Sequence, residues 1–153
     1  MEGGNIRRLR LDERDRQIIE MIVRDGRVSF RRIAESLGIS DVAVRKRVRR
    51  LERLGVIRGF TVKLDPATLG YSIVSITGVD VEPGEIVRVA RELAERSYAR
   101  SVSITAGDHA IIVELWARNE EEMERILREI REMRGVTRVC PAMITQRIKE
   151  NCF

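Results

Sequence analysis

The stretch from Ser29 to Leu54 constrains this chain more than any other. Ser29 is a helix-capping residue type, and the residues after it place Phe30, Ile33, Ala34 and Leu37 on one helical face. Gly38 stops that helix. Only Gly38, Ile39 and Ser40 separate it from a second periodic run, from about Asp41 to Leu54, capped by Ser40 or Asp41. Upstream, Asp12 suits the N-cap of a helix reaching about Asp25. Its apolar positions are Ile18, Ile19, Ile22 and Val23, and Gly26 ends it. A short helix, a three-residue turn containing glycine and a longer helix make a helix-turn-helix. Three positions suit that geometry together. Ala34 is small where the helices cross, Gly38 tolerates positive φ, and Val44 plugs the longer helix into a core.

At 100° per residue, Val44, Val48 and Leu51 form the core stripe of the longer helix. Val42, Arg45, Lys46, Arg49 and Arg53 fall on the opposite side. Residues 41–54 hold six Lys+Arg against two acids, Asp41 and Glu52. An ordinary solvated helix face interleaves both signs, so an excess on the helix that the turn presents outward points to double-stranded DNA. A major groove admits one helix, whose N-terminal residues meet base edges. The expected reading set is Ser40, Asp41, Val42, Ala43, Arg45, Lys46 and Arg49, with Arg50 and Arg53 at phosphates. Arg47 lies at the edge of the core face, where it holds either structure or phosphate.

The charge distribution agrees. The net charge is +5 over 153 residues. Residues 1–65 carry 17 Lys+Arg and 10 Asp+Glu, a balance of +7, whereas residues 66–153 carry 12 and 14, a balance of −2. A basic half joined to a near-neutral half suggests a polyanion-binding module on a module of another kind. No apolar run approaches the roughly 20 residues of a membrane span. The polar, basic start, Met1 to Leu11, does not read as a signal peptide, so a cytoplasmic protein is expected. Cys140 and Cys152 have neither a CxxC spacing nor clustered histidines. The reading is one semi-buried thiol and one loose thiol, with a disulfide left open.

After Leu54, Gly55 to Gly59 and the alternating run Phe60 to Leu64 read as a short strand and hinge, followed by an Asp65-Pro66 turn. This places a DNA-binding domain at 1–58 and a hinge strand or linker at 59–70. Residues 71–153 then read as strands at 71–81, 100–106, 110–117 and 136–148. Helices at 85–96 and from the Asn119 cap to Gly135 separate them, and Gly107-Asp108 gives a hairpin signal. The order βαββαβ is ferredoxin-like. The fold class is therefore α+β, a winged-type helix-turn-helix followed by an assembly domain. Its sheet has one face free of helices, with residues such as Ile112 and Trp116, and that face suits association with another copy. Met123 and Met133, at helical spacing, read as core rather than as a cofactor site.

The ordered string Val44-Arg45-Lys46-Arg47-Val48-Arg49-Arg50-Leu51-Glu52-Arg53-Leu54-Gly55-Val56-Ile57-Arg58-Gly59-Phe60 resembles the Lrp/AsnC (feast/famine) transcription regulators. Leu64-Asp65-Pro66, Leu69-Gly70 and the opening Leu11-Asp12-Glu13-Arg14-Asp15 extend the likeness from about Leu11 to Glu150. The resemblance implies the fold read above and homodimers formed through the C-terminal sheets, often assembled into tetramers or octamers. It also implies an amino acid or related metabolite as effector near Gly107 and Asp108, where an ordinary hairpin turn explains the pair equally well. Two departures leave that pocket with fewer polar groups. Ala110 stands where members often carry a second acid, and Val139, Cys140 and Pro141 stand where many carry threonines.

Two other readings stay open at this level. Some haem-pathway decarboxylases share the two-module layout, but they need acid–base groups around a tetrapyrrole. This chain has one histidine, His109, in a turn. No catalytic residue, metal or cofactor is expected. The other reading is a ligand-binding or assembly module whose helix-turn-helix no longer binds DNA, against which the basic face of residues 41–54 argues.

Overall fold

The structure, a computed structural model, describes residues 11–149. Met1 to Arg10 and Cys152, which figured in the reading of the termini and thiols, lie outside the described residues. The chain divides into two compact units, one ending at Lys63 and the other starting at Leu64.

The first unit holds α1 (Glu13–Arg24), α2 (Phe30–Leu37) and α3 (Asp41–Arg53). Each starts at a side-chain cap that satisfies an otherwise orphaned backbone N–H. Ser29 Oγ accepts from Arg32 N–H at 3.2 Å and Ser40 Oγ from Ala43 N–H at 3.1 Å. Asp12 and Asp15 form a reciprocal capping box on α1. Gly38 ends α2 with φ of 62°, the left-handed conformation that the tight turn requires. Ile18, Ile33, Ala34, Val44 and Val48 form the buried core, and Leu51 is buried as well.

Two local expectations are corrected. Gly26 does not take the left-handed turn expected of a helix-ending glycine. Asp25 ends α1 in an extended conformation, and its carboxylate accepts from Arg27 N–H at 2.9 Å. The run Phe60 to Leu64 is not a strand. Its alternation suits a pleated surface, but a strand needs a hydrogen-bonded neighbour, and none pairs with it among the described residues. Phe60, Val62 and Leu64 are each more than half exposed.

The second unit holds β1 (Ile73–Val81), α4 (Ile86–Ala94), β2 (Ala99–Ile104), β3 (Ile111–Ala117), α5 (Glu120–Glu132) and β4 (Val136–Met143). The sheet order is β2-β3-β1-β4, and all three hydrogen-bonded pairings are antiparallel. Both helices pack on one face of the sheet. Val79, Ile111, Val113, Leu115 and Ala117 meet Val89, Leu93, Met123, Ile126 and Ile130 in one buried core. Met133 is 7% exposed and joins that core. Among the described residues, no helix is long and apolar enough to cross a membrane.

Strand β4 ends at Met143, short of the expected Ile148. Its partner β1 begins at Ile73, and Met143 pairs with Ser75. Beyond the Ile144 N–H to Val74 C=O bond there is almost no strand left to pair with. Pro141 is tolerated because β4 lies at the sheet edge. The β2–β3 connection also differs from expectation. It spans residues 105–110 rather than the expected 107–109, and Gly107 keeps a negative φ.

Candidate nucleic-acid interface

Helix α3 separates its two faces cleanly. Val44, Val48 and Leu51 are buried, whereas Val42 is 72% exposed. The side chains of Val42, Arg45, Lys46, Arg49, Glu52 and Arg53 line one open cleft along the outer face. This brings together five of the nine residues expected at DNA. It also adds an acid, Glu52. Ser40 is exposed but uses its hydroxyl to cap the helix. Ala43 is half-buried beside that cap.

Arg50 and Arg47 turn toward α1 instead. Asp15 is fully buried, and each of its carboxylate oxygens accepts from an arginine of α3. Arg47 Nη1 donates to Asp15 Oδ1 at 2.8 Å and to Asp12 Oδ2 at 2.6 Å. Arg50 Nη2 donates to Asp15 Oδ2, which also accepts from the Asp12 N–H at 3.2 Å. A buried carboxylate needs such partners. Arg47 therefore holds structure, and Arg50, whose side chain is 42% exposed, divides itself between Asp15 and solvent.

The electrostatics follow from these bonds. The Asp15 N–H and then the Arg47 guanidinium hold the Asp12 carboxyl below the usual carboxylate range. The same carboxylates push Arg47 higher still, so it stays charged. The sequence placed Asp15 in the opening string of the resemblance but gave it no structural role. It sits among surface-type residues, and its partners lie 32 and 35 residues away.

Arg45 is also placed by its neighbours. Its Nη2 donates to Asp41 Oδ2 at 3.1 Å, and its guanidinium lies 5.4 Å from the centroid of the Phe30 ring. Lys46, Arg49 and Arg53 make no such contact among the described residues.

The second unit carries the expected effector turn. Gly107 and Asp108 are both exposed. Ala110 packs against the core beneath β3, as does Val139 on β4. The neighbouring His109 does more than a surface histidine would. Its Nδ1 lies 3.1 Å from Asp80 Oδ1, and its carbonyl accepts from Thr105 Oγ1 at 2.5 Å. Its ring lies directly on the backbone of Gly78, where any Cβ would overlap it. The turn is thus fastened to β1.

The sheet face opposite the helices carries the expected Ile112 and Trp116. Val74, Ile76, Ile112 and Trp116 alternate away from the core on β1 and β3 and are half-buried. Trp116 carries the Arg100 guanidinium 4.6 Å from its ring centroid, and Tyr71 lies 5.5 Å away. Trp116 Nε1 donates to Glu114 at 2.9 Å. Cys140 is a half-buried thiol on β4. Among the described residues, no cluster of His, Cys, Asp and Glu could hold a metal ion.

Known proteins show the same two parts. Residues 11–58 match the family described as winged helix-turn-helix DNA-binding, and residues 74–152 match the Lrp/AsnC ligand binding domain. The chain is 45% identical over 140 residues to the HTH-type transcriptional regulator LrpA of Pyrococcus horikoshii, covering 91% of this chain and 99% of that one. The LrpA of Pyrococcus abyssi is equally similar, at 45% over the same length. Escherichia coli AsnC shares the fold with a TM-score of 0.86 at 18% identity, over 94% of this chain and 98% of that one. A Neisseria meningitidis transcriptional regulator solved with L-Met does so at 0.84 and 16%, over 94% and 95%.

Proposed function

The chain belongs to the Lrp/AsnC family of helix-turn-helix transcription regulators, and from that premise we propose that it reads duplex DNA with the outer face of α3, works as an assembly of identical copies and responds to an amino acid or related metabolite. The family consists of DNA-binding regulators, which favours this reading over the decarboxylase alternative and over a module without DNA binding.

One observation carries the DNA surface. The basic side chains of α3 that project outward, Arg45, Lys46, Arg49 and Arg53, share one open face with Val42. Ser40, Asp41, Val42, Ala43, Arg45, Lys46 and Arg49 form the base-reading set, at the end of the helix that enters a major groove. Arg53 and the exposed part of Arg50 meet phosphates. On an operator isolated by selection, Arg49→Ala should weaken binding by about 1–3 kcal/mol, with less loss on random duplex. Equal losses on both DNAs would place Arg49 at a phosphate and overturn its assignment as a reader.

The assembly reading rests on the half-buried residues of the open sheet face, Val74, Ile76, Ile112 and Trp116. A second copy is the occupant proposed, because two joined recognition helices read two half-sites about one helical turn apart. Light scattering at micromolar protein separates dimer, tetramer and octamer, and a monomer would overturn the reading. The effector reading rests on the match of residues 74–152 to a ligand binding domain. Gly107 and Asp108 are the contacts proposed within it. A ligand at 100 times its dissociation constant adds about 2.7 kcal/mol of stability. Scanning calorimetry against a panel of amino acids should therefore show a shift that Asp108→Ala removes. No shift with any of them would mark a pocket altered by Ala110, Val139 and Pro141.

A further inference from the structure

We propose that Phe30 and Asp41 form a cradle that presets the Arg45 guanidinium for a guanine, which makes Phe30 a specificity-setting residue although it lies on the helix before the recognition helix. The inference rests on the proposed DNA-facing role of α3 and adds a mechanism to it.

Phe30 is the first residue of α2, half-buried against the core of the first unit. Its ring is therefore held by the protein rather than by DNA. The guanidinium of Arg45 lies 5.4 Å from the ring centroid, inside the roughly 6 Å over which a cation is attracted to an aromatic face. Asp41, one turn earlier on α3, accepts from Arg45 Nη2 at 3.1 Å. One contact comes from each helix of the motif. Together they fix a side chain that would otherwise sample many rotamers, and fixing it before binding removes that entropy cost from recognition.

The chemistry favours a base over a phosphate. The bond to Asp41 uses one of five guanidinium N–H groups and leaves four. Guanine offers two acceptors in the major groove, O6 and N7, whereas adenine offers one acceptor and one donor. A guanidinium can donate twice to guanine but meets a donor on adenine. The Asp41 carboxylate also repels phosphates, so it weakens any unselective pull of Arg45 on the DNA backbone. Lys46, Arg49 and Arg53 have no carboxylate bonded to them among the described residues and keep that pull.

The test is selection from a pool of random duplexes with the full chain, followed by sequencing. Wild type, Arg45→Ala, Phe30→Leu, Phe30→Tyr and Asp41→Asn are compared, with affinity for bulk random duplex measured alongside. The expected motif contains a guanine whose preference falls about ten-fold in Arg45→Ala. It falls about three-fold in Phe30→Leu, which loses the ring but keeps an apolar anchor. Asp41→Asn loses preference at the same position, while Phe30→Tyr keeps it. Binding to random duplex is unchanged in the Phe30 variants and tightens in Asp41→Asn, which removes the carboxylate that repels phosphates. Should Phe30→Leu be too unstable to purify, Asp41→Asn and Phe30→Tyr still decide. If Arg45→Ala loses the guanine and Phe30→Leu or Asp41→Asn keeps it in full, the cradle is overturned and the helix reading stands. If Arg45→Ala and Arg49→Ala both leave the motif unchanged, the helix reading fails and the cradle with it.

Discussion

Arg47 donates to the fully buried carboxylate of Asp15 at 2.8 Å, across 32 residues of sequence, and so ties the recognition helix to the first helix of the chain. The same Asp15 completes the capping box of α1 and receives Arg50. One carboxylate thus couples the start of one helix to the angle of another. Asp15→Asn keeps the shape and removes the charge. It should destabilise the first unit by about 3 kcal/mol, the low end for breaking a buried pair, because both arginines can still reach water. Urea unfolding followed by circular dichroism measures this. A change within about 0.5 kcal/mol would mean the network contributes little.

The Asp12 carboxyl should make this unit acid-sensitive. Its affinity for protons is lowered in the fold, first by the Asp15 N–H and then by Arg47, from an ordinary value of 3.8. A lowered value means the charged form is favoured by folding. The stabilisation is therefore complete above 3.8 and disappears as pH falls below it toward the folded value. Melting temperatures of wild type and Asp12→Asn should differ by a constant amount above about pH 5 and converge in stronger acid. A gap that widens on acidification would contradict this.

Gly78 is needed where it stands because the His109 ring lies on its backbone. Gly78→Ala should displace the ring, loosen its contact with Asp80 and cost about 1–3 kcal/mol. The chain has one histidine, so its imidazole signals in a proton spectrum belong to His109 alone. They should move in the variant, and any stabilisation by an effector should weaken with them. Unmoved signals would show that the turn is not held through Gly78.

Met123 is 2% exposed in the core of the second unit. Met123→Ala should cost about 2–5 kcal/mol through lost burial and a residual cavity. Affinity of the surviving folded protein for DNA should be unchanged per assembled molecule. Calorimetry supplies the first quantity and a binding titration the second.

Local chemistry made much of this architecture legible in the sequence. Caps such as Ser29 and Ser40, the positive φ of Gly38 and the stripe Val44, Val48, Leu51 act over a few residues, so spacing alone reveals them. Strand ends were less legible because a strand exists only opposite a partner. Phe60 to Leu64 alternates correctly but pairs with no strand among the described residues, while β4 stops when β1 runs out. The contacts that shape the candidate interface and the effector turn were hidden for the same reason. Asp15 with Arg47, Phe30 with Arg45, and Gly78 with His109 join positions far apart in sequence. Asp12 could be read as a cap but not as an ion-pair partner, since its second role depends on where α3 lies.

The salt dependence of duplex binding tests the central claim most directly. Each phosphate neutralised by a basic side chain contributes about −0.9 to the slope of log K against log salt. The protein should show a steep negative slope. Arg53→Ala should make that slope shallower by about one, on operator and random duplex alike. A slope near zero, or one that none of Arg45→Ala, Arg49→Ala and Arg53→Ala alters, would contradict DNA recognition through the outer face of α3.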